Sequence, residues 1–215
     1  MRTRKRLKKK TKLVIIISLI VSLLLAGGLY YYFNTMDRNQ GEQHVVVEIP
    51  GWDYKLTAGR TDLYRGYFME LKDILLENDP VDYEDYAKKI TQLFIADFYD
   101  LDNKLASDDI GGLQYILPDA RENFILNASN TMYRGIENKR VNPDRDQVLP
   151  IVTSVNTGDI KETTFMLNEE EVEAFKIMVT WEFETDLGYE SGATLILGRQ
   201  GKKLYIVELN WDNED

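Results

Sequence analysis

The chain has 215 residues, no cysteine, one histidine and a formal net charge of −10. Without cysteine there is no disulfide framework, no thiol nucleophile and no acylated lipoprotein anchor. With His44 as the one imidazole, ahead of the predicted domain, no histidine-based triad or histidine metal site can form inside the fold.

Charge is unevenly placed. Arg2, Arg4, Lys5, Arg6, Lys8, Lys9, Lys10 and Lys12 crowd a basic tail over residues 1–12, and no acid occurs before Asp37. Residues 36–215 keep 18 Lys and Arg against all 36 Asp and Glu, a net −18. A body that acidic argues against nucleic acid and against lying flat on anionic lipid. Residues 13–33, Leu13 to Phe33, carry no charge at all. At about 1.5 Å rise per residue such a run spans roughly 31 Å, the thickness of a bilayer's hydrocarbon core. Tyr30, Tyr31, Tyr32 and Phe33 then form an aromatic belt, and the cationic side of the span is expected to stay cytoplasmic. A cleaved signal peptide fits less well. Its apolar region is shorter, about 7–15 residues, and Ala26-Gly27-Gly28 leads into bulky Leu29 and Tyr30 rather than a polar mature start. The expectation is an uncleaved single-pass anchor in a cell membrane, bacterial by its lack of an organelle presequence. The N-terminus lies inside and residues 55–215 form an extracytoplasmic domain.

Within the span, Ser18, Ser22 and Ala26 recur every four residues and share one helix face. Small residues at that spacing let two helix backbones approach closely, so this stripe is the candidate contact between anchors; the bland alternative is a face turned to lipid.

Residues 34–54 read as a juxtamembrane linker with a short strand at His44 to Ile49, closed by Pro50-Gly51. Trp52 and Tyr54 are expected to pack under the first helix rather than reach the headgroups. From Thr61 the period becomes helical: Leu63, Tyr67, Leu71, Ile74 and Leu75 share a stripe, and Asp79-Pro80 closes the element. Asp82 suits an N-cap for a second helix, along which Tyr83, Ala87, Ile90, Phe94, Phe98 and Leu101 recur at threes and fours. Gly111-Gly112 implies a sharp bend or a close backbone approach. Pro118 opens a third helix with the stripe Ala120, Phe124, Ala128, Met132 and Ile136. Asn127-Ala128-Ser129 matches a glycosylation sequon but falls inside that helix.

The remainder turns to period two. Strands are predicted over Gln147 to Val155 and Ile160 to Leu167, with a turn at Asn156 to Asp159 between them. The clearest strand is Glu173 to Thr185, with Phe175, Ile177, Val179, Trp181 and Phe183 on one face and Lys176, Thr180, Glu182 and Glu184 on the other. Ala193 to Leu197 and Lys203 to Trp211 complete a hairpin around Gln200-Gly201. The fold class is α+β: about three helices on the concave face of one curved antiparallel sheet of four to five strands.

Motifs for chemistry are few. Asp97, Asp100 and Asp102 begin like a calcium loop, but Lys104 and Gly111 stand where further ligands belong. Asn142, Asp144 and Asp146 repeat the spacing, with Gln147 in place of the glycine and Thr153 in place of the closing glutamate. Asp144-Arg145-Asp146 offers two carboxylates around a guanidinium, although neighbours in a loop need not converge. No phosphate loop, nucleophile elbow or zinc signature occurs. No catalytic, cofactor or metal residue is assigned.

A basic tail, one membrane span, a linker and then helices leading into a curved antiparallel sheet resembles the bitopic assembly factors of type IV secretion and conjugation machines. Their exported domain is similar to the nuclear transport factor 2-like cone. The resemblance lies in the order of elements over most of the chain, so no functional residue is carried over. It implies a non-enzymatic domain that binds protein partners or itself in the cell envelope. The alternatives are an anchored small-ligand binder or sensor with an aromatic pocket, and an anchored enzyme built on Tyr and Asp.

Overall fold

The computed structural model describes residues 44–211. The predicted span and its Ser18, Ser22 and Ala26 stripe lie outside the described residues; among those described, no helix is long and apolar enough to cross a membrane.

A hairpin comes first, β1 (Val45–Ile49) against β2 (Tyr54–Thr57). Its turn passes through Gly51 and Asp53, both at positive φ. Ile49, Trp52, Tyr54 and Leu56 are buried in the main core. The folded unit therefore begins at Val45 rather than at residue 55, because these apolar side chains need the rest of the domain to cover them. Trp52 and Tyr54 are buried as expected, but against the second helix rather than the first, meeting the Tyr86 ring edge-on.

Helix α1 (Asp62–Glu77) is capped by Thr61, whose hydroxyl accepts from the Tyr64 amide at 3.3 Å. Its buried line is Tyr64, Phe68, Leu71 and Leu75. Leu63, Tyr67 and Ile74 sit half-buried at the margin, so the helix is rotated from the predicted stripe. Helix α2 (Tyr83–Phe98) starts at Asp82, which accepts from the amides of Glu84 and Asp85. Its second half is buried nearly all round, from Leu93 to Phe98. It is the central helix, lying against α1 on one side and the sheet on the other. A tight turn at Leu113–Tyr115 and another at Pro118–Ala120 lead into α3 (Arg121–Asn130). Pro118 stands at the first position of its turn, as its fixed φ favours. Of the predicted stripe, Ala128 and Ile136 are buried, Phe124 and Met132 are half-buried and Ala120 is exposed.

The sheet is an antiparallel meander in the order β3 (Val152–Leu167), β4 (Glu170–Phe183), β5 (Gly192–Gln200), β6 (Lys203–Trp211). Two predicted strands are one: β3 runs through Asn156 to Asp159, where a register shift between Thr157 and Ile160 absorbs the turn-like residues as a bulge. The β3–β4 hairpin turns on Asn168-Glu169, both at positive φ, the geometry that suits strand twist in a two-residue loop. Phe175, Ile177, Val179 and Trp181 face the helices and are buried, while Lys176, Thr180 and Glu182 are exposed on the outer face.

Candidate functional site

The ionic centre of the domain is Asp97, near the end of α2 and almost fully buried. Lys104 Nζ, itself only 1% exposed, donates to Asp97 Oδ1 at 2.6 Å. The Arg60 guanidinium donates to the same oxygen, and the Gly112 amide reaches Oδ2 at 2.7 Å. Burial alone would raise the Asp97 pKa; the two cations and the amide overcome it and hold the carboxyl below its usual range.

The diglycine makes this enclosure possible. A Cβ on Gly111 would stand 2.2 Å from the Asp97 carbonyl oxygen, and one on Gly112, at φ +75°, would stand 2.6 Å from the Phe94 ring. The expected bend is thus also a close approach, wrapped over the end of α2. Tyr133 braces it from behind: its hydroxyl accepts from the Gly111 amide at 3.2 Å and donates to the Phe98 carbonyl at 2.6 Å.

Tyrosines fill the space between helices and sheet. The Tyr64 and Tyr115 hydroxyls pair at 2.6 Å, and Gln114 Nε2 donates to both. The Tyr54 and Tyr86 hydroxyls pair at 2.6 Å, with Tyr86 also accepting from the Leu204 amide at 3.3 Å. Burial raises the pKa of all four phenols, so they stay neutral. The aromatic surplus of α2 is core: Phe94 stacks on Phe98, and Phe98 meets Tyr133 at 5.4 Å.

The two loop motifs resolve differently from a metal or acid–base site. Arg145 is buried and donates to the carbonyls of Lys104, Glu137 and Asp102 at 2.9–3.1 Å, pinning the segment after α2 to the loop beyond α3. Asp144 and Asp146 are exposed, and the carboxylate nearest that guanidinium is Asp102 at 3.7 Å. Among the described residues no group of three His, Asp or Glu could hold a metal ion. His44 is exposed.

Asp100 is different from Asp97. Burial raises its pKa to about 6, against the pull of Lys104 and the Asn103 amide. Its Oδ2, the neighbouring Tyr99 hydroxyl and Trp181 Nε1 have no partner among the described residues, and the Tyr99 ring stacks on Trp181 at 4.5 Å.

On the surface, α1 and α2 frame an open cleft of about 420 Å³ that reaches Thr157. Of the charges that line it, Lys89 pairs with Glu70 and Lys88 with Asp85. Apolar side chains are exposed elsewhere: Leu126 on α3, Val141 and Val148 in the loops, Met166 and Met178 on the sheet.

The sheet has two edges, β3 and β6. Strand β6 is met at one residue, by a parallel bridge from Ile116 to Ile206. Strand β3 is the opposite edge and is capped at Val155, whose carbonyl accepts from Gln92 Nε2 at 3.1 Å and whose amide donates to the Tyr67 hydroxyl at 3.3 Å. None of these contacts was readable in the sequence, since each joins elements whose spatial order is not encoded in any local pattern. No protein-family model, no curated protein and no solved structure matches the chain.

Proposed function

We propose that the chain is a single-pass membrane protein, not an enzyme, whose extracytoplasmic domain works in the cell envelope by binding protein partners or further copies of itself. One observation carries this reading: the space between helices and sheet, where a cone would receive a ligand, is occupied by the domain's own tyrosines, hydrogen-bonded to one another. The buried carboxylate Asp97 is neutralised by two cations rather than presented to a substrate. The helices followed by an antiparallel meander support the nuclear transport factor 2-like comparison as an order of elements.

A second reading rests on Asp100 and Tyr99. A buried carboxyl with a raised pKa, and separately a buried phenol without a partner among the described residues, are groups of the kind that a small-ligand binder or a Tyr/Asp enzyme uses. The test is lysine cross-linking of the full-length protein in its native membranes. The assembly reading expects discrete adducts with itself or with a defined partner. Wholly monomeric protein whose melting temperature rises with a small metabolite would favour the second reading.

A further inference from the structure

The edge of β3 beyond its cap has no partner among the described residues. Val155 is covered by Tyr67 and Gln92, but from Ile160 to Leu167 the strand runs on, past the bulge, with only β4 beside it. Those eight residues span about 27 Å. They contain no proline, and they expose Lys161, Glu162, Thr164 and Met166 while Ile160, Thr163, Phe165 and Leu167 are half-buried. A strand edge of this kind presents unpaired amides and carbonyls and templates another strand.

We infer that Ile160 to Leu167 is a self-association edge, on which β3 of a second copy pairs antiparallel about a two-fold axis through Thr163. This deepens the assembly reading and rests on it. The register follows from which residues share a face. Pairing with β4 sets Ile160 opposite Ile177 and Glu162 opposite Phe175, so their side chains share the helix-facing side. Lys161 and Thr163 lie opposite Lys176 and Ala174, so theirs are on the outer side. Val155, which also faces the helices, turns its backbone groups to the free edge. Past the one-residue bulge the same alternation turns those of Ile160, Glu162, Thr164 and Met166 outward.

A symmetric antiparallel pair that keeps both sheet faces continuous must centre on a residue. Centring on Lys161 opposes two lysines, and centring on Glu162 opposes two glutamates; both are disfavoured. Centring on Thr163 sets Lys161 against Phe165 of the second copy, Glu162 against Thr164, Ile160 against Met166 and Thr163 against itself. No like charges meet. Centring on Thr164 also avoids like charges but sets both Glu162 against Met166 and Lys161 against Leu167, whereas Thr163 as the centre leaves only Lys161 opposite an apolar side chain. Glu162 with Thr164, and Ile160 with Met166, become the pairs that exchange backbone hydrogen bonds, and Thr163 becomes a close, non-hydrogen-bonded pair. An edge contact is small, and domains of this charge repel one another. Confinement by a common membrane raises effective concentration enough to populate it.

The chain has no cysteine, which makes the test clean. Full-length Thr163→Cys in membranes, mildly oxidised, is expected to become mostly disulfide-linked dimer. Thr180→Cys, exposed on the outer face of β4, should stay monomeric on the gel. Lys161→Cys and Phe165→Cys should each cross-link poorly alone and efficiently when the two are co-expressed, which reports the register. A Thr163→Cys yield no greater than that of Thr180→Cys would overturn the inference. If lysine cross-linking still gave oligomers in that case, the assembly reading would stand and a different surface would carry it; monomers by both methods would sink both.

Discussion

Replacing Asp97 with Asn would leave the Lys104 ammonium, itself buried, and the Arg60 guanidinium facing a neutral amide. Breaking a buried pair in this way costs about 3–5 kcal/mol, which a thermal or urea melt would read as a large loss. Asp97 and Asp100 act on stability with opposite pH dependence. The Asp97 pKa is depressed in the fold, so its contribution is present above the usual carboxylate range and is lost as pH falls through the folded value. The Asp100 pKa is raised to about 6, so between about pH 4 and 6 the fold holds a proton that the unfolded chain has released. Its contribution is full below the unfolded pKa and is lost as pH rises through 6. Asp100→Asn is therefore predicted to raise the melting temperature near pH 8, with the gain vanishing near pH 4. A gain that grew on acidification would contradict this assignment.

Strand β4 tests the assignment of faces. Trp181→Ala removes a buried indole that stacks on Tyr99 and should cost about 3–5 kcal/mol. Glu182→Ala, one residue on and exposed, should stay within about 0.5 kcal/mol; equal shifts in thermal melts would be inconsistent with this packing. Gly111→Ala should destabilise strongly, because its methyl would meet backbone atoms that cannot move aside. These elements differ in how far the sequence revealed them. The period-two face of β4 and the Asp82 cap with its Ala87, Ile90, Phe94 and Phe98 line were legible, since alternation and capping are local signals. Helix α1 was read a step out of phase because Leu63 and Tyr67 are as apolar as the neighbouring Tyr64 and Phe68, and only the partner helix decides between them. The residues around Gly158 carry turn chemistry, yet pairing with β4 continues past them and turns them into a bulge. The Asp97 cluster was hidden for another reason. Arg60 and Lys104 lie 37 and 7 residues away along the chain, and an acid among other acids looks like solvated surface until a fold buries it.

At the scale of the molecule, charge sets the expectations. In the proposed orientation, which rests on the basic tail, Lys10 is cytoplasmic and Trp211 outside, so protease added to intact, wall-stripped cells should degrade the domain and spare the tail. Protection of the domain would reverse that orientation. Under the proposed self-association two contacts would divide the work: the Ser18, Ser22 and Ala26 stripe would bring anchors close, and the edge of β3 would join domains held at high local concentration. At −18 the isolated domain should remain mostly monomeric at low salt. Ser22→Leu keeps the run from Leu13 to Phe33 uncharged and, on that proposal, would block the close approach of two anchors. The most direct test counts subunits of the full-length protein in membranes by single-molecule photobleaching. Dimers or larger assemblies are expected for the parent, with a shift toward single subunits for Ser22→Leu. A parent that bleaches in single steps throughout, with no other protein cross-linked to it, would contradict the assembly reading.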